Sequence, residues 1–387
     1  MTVKKLDVAI VGGGIAGLWT LNALRRQGYS AVLFEAQALG WDQTLASQGM
    51  IHGGLKYALN GRLNSASEAI AGMPERWRSC LAGQLSQPGD IDLTGVPLQS
   101  DRYYMFAASK GLGRLTSFFA SKALRGRINK VAEPDWPKAL HGLDGSVYCL
   151  NDFVVDTRVL IDHLAGAQHP FVYQQKLDAS NVEVRDSGFA ISTKDGDVQV
   201  THLISCAGNG SVELLASLDI PLAVQQRPLK QVIVTPTHNH ELYAHCLTGV
   251  TSNEPRLTIT TDHTSEQTRW YLGGKIATGG VDRDDEAQIA FAQAEMQSCL
   301  GWLDWTDANY EVLYVDRAEP KTQSGTRPDE AYVEKHGDFV LCFPTKLALA
   351  PDLADQVLAQ LPPPQFPQPD PLNLSTAIRG TSPWQAH

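Results

Sequence analysis

The sequence predicts an α/β fold, with a Rossmann-like lobe and an α+β lobe built on an antiparallel sheet. Three observations carry this expectation. Near the start, "LDVAIVGGGIAGLWTLNALRRQGYSAVLFEA" reads as strand, glycine turn, helix and second strand. Far downstream, "KQVIVTP" and "RLTITTD" have the composition and alternation of strands in an antiparallel sheet. The chain has 387 residues, enough for a large core and for two lobes.

In chain order, the first element is the apolar, β-branched run Leu6 to Val11. Gly12, Gly14 and Gly17 follow as G-x-G-x-x-G. Ile15 to Gln27 places Leu18, Leu21 and Leu24 at helical spacing, and Gly28 stops the helix. Ala31 to Phe34 forms the next strand, which ends at Glu35, with Ala36 after it as a further cofactor-binding candidate. The three glycines serve different ends. Gly12 permits the sharp turn, Gly14 admits a pyrophosphate to the backbone, and Gly17 lets helix pack on strand. N–H groups at the helix start, around Ile15 and Ala16, bind that pyrophosphate. Glu35, at the strand tip, accepts the hydroxyls of an adenine ribose. The whole unit predicts a dinucleotide site.

The following stretch, "AQALGWDQTLASQGMIHGG", is loop rich in small residues, with no room for a helix before Leu63. An NAD domain would continue into another βαβ unit. In flavoproteins the chain passes here under the isoalloxazine ring. The expected cofactor is therefore FAD, with Ala46, Ser47, Gln48, Gly49 and Ile51 beside it and His52 on a glycine-padded turn.

Composition narrows the partners. Hydrophobic residues make up 43% and charged residues 19%, which is ordinary for a folded globular chain. The net charge of −10 argues against a nucleic-acid groove or an anionic membrane surface, and the basic run Lys122 to Lys130 reads as a solvated helix face. Six scattered cysteines without a CxxC pair suggest neither a zinc site nor a disulfide framework, so a reduced, cytoplasmic protein is expected. Lys4 and Lys5 precede an apolar run, but Asp7 interrupts it, and no stretch is long and apolar enough to span a bilayer. His238, His240 and His245 read as surface histidines rather than as a metal site, and Trp302 and Trp305 as packing a helix end against the second sheet.

The chain resembles the D-amino-acid oxidase superfamily of FAD-dependent oxidoreductases, which includes glycine oxidase, monomeric sarcosine oxidase, L-2-hydroxyglutarate dehydrogenase and glycerol-3-phosphate dehydrogenase. The resemblance runs from Leu6 to about Leu361 and rests on ordered landmarks. After the nucleotide fingerprint come "SQGMIHGGLKYAL", similar to the family's HGGLRYL and SGVIHAG segments, and "NDFVVDTRVLIDHLA". "THLISCAGNGS" resembles the strand and Ala-Gly turn near FAD, implicating Ala207 and Gly208, with Leu177 upstream. "RWYLGGKIATGG", "VDRAEPKTQSGTRPD" and "GDFVLCFPTKLALAPDLADQVLAQL" complete the set. Two features depart from the family pattern: "CFPTKLAL" replaces the Gly-rich turn after the last strand, and "DRAEP" stands where Arg-Pro is usual. At the first, Thr345, Lys346 and Leu347 still offer N–H groups and positive charge to the flavin's pyrimidine end.

The resemblance implies hydride transfer to flavin N5 from a CH–OH or CH–NH carbon of a small anionic substrate: a 2-hydroxy acid, an amino acid or a polyol phosphate. Arg317 is the implied anion anchor, the alternative being a salt bridge with Asp316 or Glu319. Lys275, between glycines on a strand facing the flavin, resembles the lysine that helps oxygen react, the alternative being a solvent-facing strand end. His52 is a base for a substrate hydroxyl, a covalent flavin link, or a neutral ring hydrogen-bonded to flavin or backbone. The electron acceptor is oxygen, a quinone or another carrier. A flavin subunit active only with a protein partner is the alternative to an enzyme working alone. The resemblance also implies interleaved lobes: residues 1–90, 145–220 and 336–361 for FAD, 91–144 and 221–335 for substrate, and a proline-rich tail at 362–387 expected to lack regular structure.

Overall fold

The computed structural model describes residues 4–54, 69–108, 128–247, 255–262, 267–321 and 330–383. The positions 122–127 of the basic run, Lys56 and Tyr57 after the histidine turn, and residues 322–329 lie outside them.

The Lys4–Val11 strand is the centre of the first sheet. It pairs in parallel with Ala31–Glu35 on one side and with Gly196–Ser205 on the other. Phe339–Phe343 also pairs in parallel with Gly196–Ser205, and Val172–Gln174 closes the far edge beside Ala31–Glu35. Because parallel strands are buried on both faces, the first strand reads as a continuous apolar run. Val8 and Ile10 pack into a core with Leu18, Leu21 and Leu24 of the Ile15–Arg26 helix. Ala9 and Val11 join a second core with Leu203 and Leu215.

The second sheet runs Asn309–Pro320, Val224–Thr235, Arg269–Gly273, Leu257–Asp262, Ala244–Cys246, Tyr103–Ala108, Gly145–Leu150, Ile128–Lys130. It is antiparallel except where Ala244–Cys246 meets Tyr103–Ala108 in parallel. Val232, Val234, Ile259, Trp270 and Leu272 bury one face against Ala292 and Met296 of the Asp285–Leu300 helix. Trp302 and Trp305 lie beside the same core, and Trp305 meets Trp270 edge-on at 5.5 Å.

The sheets draw on alternating stretches of the chain, and two stretches expected in one lobe pair in the other lobe's sheet. Gly145–Leu150 belongs to the second sheet, so the chain returns at Phe153–Val155, which pairs with Met50–Ile51. Tyr332–His336 belongs to the first sheet as the antiparallel partner of Phe339–Phe343. The proline-rich tail lies along the first lobe through isolated bridges and side-chain bonds. Asp7, out of place in an apolar run, is explained here: one oxygen accepts from Ser30 Oγ at 2.7 Å, the other from the Gln365 N–H at 2.8 Å.

Candidate functional site

One cleft of about 560 Å³ runs between the glycine turn and the second sheet. Its cradle is built by close approach. A Cβ on Gly17 would lie 1.9 Å from Gly12 O, so helix and turn touch only because Gly17 has no side chain. Gly12 holds φ +105°, and a Cβ there would lie 2.6 Å from Ala207 Cα. The Ala207–Gly208 turn is thereby pressed onto the glycine turn, and both line the cleft. Thr44 Oγ1 accepts the Ile15 N–H at 3.2 Å, at the helix start. The Glu35 carboxylate, almost fully buried, accepts the Gly13 N–H at 2.5 Å and the Gln37 N–H at 2.7 Å. Bare glycine backbone, a helix start and a strand-tip carboxylate form a donor and acceptor set that fits a dinucleotide such as FAD.

The loop from Ala46 to Gly49 lines the cleft and is clasped by the second sheet. Gln48 Nε2 donates to Thr258 O at 3.1 Å and to Tyr271 O at 2.9 Å. Tyr271 Oη bonds with Ala46 O and Gln231 Oε1, and burial holds this phenol well above its ordinary range, so it stays protonated. A second clasp joins Asp42 to Asn209, whose Nδ2 reaches Asp42 Oδ2 at 2.7 Å and Asp316 O at 2.6 Å. Burial pushes the Asp42 carboxyl up, and the Asn209 bond partly offsets it.

The remaining walls carry the charged groups. Val315, Arg317 and Glu319 alternate along one strand, share a face and line the cleft. Arg227, directly across from Arg317, binds Glu319 at 3.1 Å. On the opposite side, His52 Nδ1 accepts the Gly54 N–H at 3.2 Å. The neutral ring therefore carries its proton on Nε2. Asp152, buried beside it, accepts the Gly53 N–H at 2.9 Å, and burial raises its carboxyl to about 6.

Gly12, Gly14, Ile15, Ala16, Glu35, Ala36, Ala46, Ser47, Gln48, Gly49, His52, Ala207, Gly208, Arg317, Thr345, Lys346 and Leu347 all line the cleft. Gly17 acts one layer behind, by packing. Three other expected residues lie outside the cleft lining. Ile51 pairs with Phe153 and points into the core, because the strand alternation that turns His52 to the cleft turns Ile51 away. Leu177 is buried in the second core among Tyr173 and Val182. Lys275 is exposed and outside the cleft wall: the strand stops at Gly273, Gly274 turns at φ +84°, and Lys275 opens a one-turn helix.

The histidines are also reassigned. His245 lines the cleft, with Nδ1 3.0 Å from Thr258 Oγ1. His238 and His240 are half-buried, stacked on each other at 4.9 Å and set against Trp270. Among the described residues no group of three or more His, Cys, Asp or Glu side chains is placed to hold a metal ion, and no helix is long and apolar enough to cross a membrane. His245, Asp152, Gln231, Thr258 and Thr44 escaped the sequence reading. Only the strand alternation around His245 could have signalled any of them.

The family model described as FAD dependent oxidoreductase, DAO, matches residues 7–346. The chain is 44% identical over 361 residues to the probable FAD-dependent oxidoreductase PA4991 of Pseudomonas aeruginosa, covering 92% of this chain and 90% of that one. The crystal structure of PA4991 matches with a TM-score of 0.82 and 37% identity, over 100% of this chain and 99% of that chain. In fold the chain is similar to glycine oxidase from Geobacillus kaustophilus, with a TM-score of 0.65, 17% identity and coverage of 93% and 95%. It is similar too to the FAD-bound L-α-glycerophosphate oxidase from Mycoplasma pneumoniae, with a TM-score of 0.66, 16% identity and coverage of 97% and 100%. With the cradle and the cleft in view, a match spanning most of the chain leads to one conclusion: it belongs to the DAO family and is an FAD-dependent oxidoreductase.

Proposed function

We propose that the enzyme oxidises a CH–OH or CH–NH carbon of a small anionic substrate: a 2-hydroxy acid, an amino acid or a polyol phosphate. The observation that carries this reading is Arg317 on the cleft face of its strand, beside the Arg227–Glu319 pair. A guanidinium fork holds a carboxylate or phosphate through two parallel bonds and so fixes the distance from anion to reacting carbon. Bound FAD supplies the hydride acceptor.

The chain's own residues do the rest. His52, protonated at Nε2, donates a hydrogen bond into the cleft. The substrate's proton goes to Asp152 or His245, the titratable groups on the wall near it. Lys346, a nearly buried cation, balances negative charge that gathers in the cleft on reduction. The acceptor that reoxidises the enzyme is oxygen, a quinone or another carrier. Lys275, the residue that pointed to oxygen, lies outside the cleft and adds no support to that choice.

The test is anaerobic mixing of the FAD-loaded enzyme with one member of each substrate class while the visible flavin band is followed. Bleaching by at least one class is expected, and reoxidation by air or by a quinone analogue then identifies the acceptor class. If no small anion bleaches the flavin although dithionite does, the reading fails.

A further inference from the structure

We infer that residues 362–380 form a strap that positions the FAD cradle from outside the cleft, acting through Leu39 and Gly40 on Gly13. The strap begins on the first lobe, where Tyr29 Oη donates to Pro362 O at 2.8 Å and Asp7 accepts the Gln365 N–H at 2.8 Å. It then follows the edge strand Val172–Gln174. The Leu372 N–H reaches Tyr173 Oη at 2.8 Å, the Gln174 N–H reaches Ser375 O at 2.8 Å, and the Ala377 N–H reaches Val172 O at 3.1 Å. Covering a sheet edge would account for these contacts alone.

The strap continues past the edge, and there its contacts change character. Ile378 O accepts the Leu39 N–H at 2.8 Å, and the Gly380 N–H donates to Leu39 O at 3.0 Å, so Leu39 is held from both sides. A Cβ on Gly380 would lie 2.5 Å from Leu39 O and 2.9 Å from Leu45 Cδ1, so the approach requires glycine. Leu39 in turn fills the space beside Gly13, where a Cβ would meet Leu39 Cδ2 at 2.5 Å. The next residue, Gly40, donates to Gly13 O at 2.9 Å, while Gly13 donates to Glu35 at 2.5 Å. Gly13 and Glu35 are cradle groups. A continuous path of short bonds therefore runs from the strap to the pyrophosphate turn and the ribose carboxylate. Pro362, Pro363, Pro364, Pro367, Pro369 and Pro371 stiffen the lead-in and reduce the entropy lost when the strap docks.

The experiment uses full-length protein carrying Gly380→Val, with Gly380→Ala as the milder change and Ile378→Ala as the control. Ile378 contributes its backbone carbonyl, and its own side chain is exposed. FAD affinity is read by flavin fluorescence on titrating apoprotein, alongside the apoprotein Tm. G380V is expected to weaken FAD binding by about tenfold or more. G380A should fall between it and wild type, I378A should match wild type, and the apoprotein Tm should change little. Unchanged FAD affinity in G380V and G380A would overturn the inference. So would a fall in apoprotein Tm that tracks the affinity loss in both variants, because the strap would then only hold the fold together.

Discussion

Asp152 carries an acid–base cost that can be measured. Burial lifts its carboxyl from 3.8 to about 6, so between those pH values the folded chain holds a proton that the unfolded chain releases. The stability this provides is complete below pH 3.8 and is lost as pH rises through about 6. Asp152→Asn keeps the bond from Gly53 without the charge. It is expected to be more stable than wild type at pH 7 by about 2–3 kcal/mol, with the gap closing towards pH 4 in denaturant melts. At Arg317 the expected effect is on substrate. R317A should lower kcat/KM by roughly 10- to 100-fold, mainly through KM, and R317K should recover part of it, as steady-state kinetics on a substrate that bleaches the flavin would show. His52 bears on cofactor chemistry: with Nδ1 engaged by Gly54 and a proton on Nε2, neither nitrogen presents a lone pair for a flavin bond. Acid precipitation is therefore expected to send the yellow colour into the supernatant, and colour kept in the pellet would contradict this tautomer.

Among the elements, the glycine turn and the helix and strands around it were legible because backbone sterics dictate them. A turn that permits no Cβ at Gly12 or Gly17 must be written in glycine, and the Glu35 carboxylate at the strand tip accepts N–H groups from that turn and from Gln37. The turn after the last strand shows the limit. It departs from a glycine-rich pattern, yet Thr345 holds the left-handed conformation at φ 58° that glycine usually fills, fixed by Oγ1 donating to Glu330 O at 2.9 Å. The second-lobe wall was mostly hidden because His245, Gln231 and Thr258 come from three strands whose adjacency is set by sheet topology. Lys275 was misplaced because "GGKIATGG" reads equally well as strand or turn until the strand's end is known. K275M is accordingly expected to leave both flavin reduction and reoxidation rates within about twofold of wild type in stopped-flow traces.

Across the molecule, an interleaving of two lobes was legible only as what the family resemblance implies. Its exact boundaries were not, because Gly145–Leu150 and Tyr332–His336 have ordinary strand composition and only pairing assigns them to a lobe. The two clasps at Gln48 and Asn209 tie the first-sheet side of the cleft to the second sheet.

The place of Phe339–Phe343 beside Gly196–Ser205 also sets an order of assembly during synthesis. The strands of the second lobe between Val224 and Pro320 leave the ribosome before Phe339–Phe343 does, and their sheet can pair while the first sheet still lacks a member. The cleft wall formed by Cys342 to Leu347 is missing until then. A nascent chain stalled with its exposed end near Lys321 should therefore capture FAD poorly, and cofactor uptake becomes a late event in the life of each new molecule rather than a template for its folding.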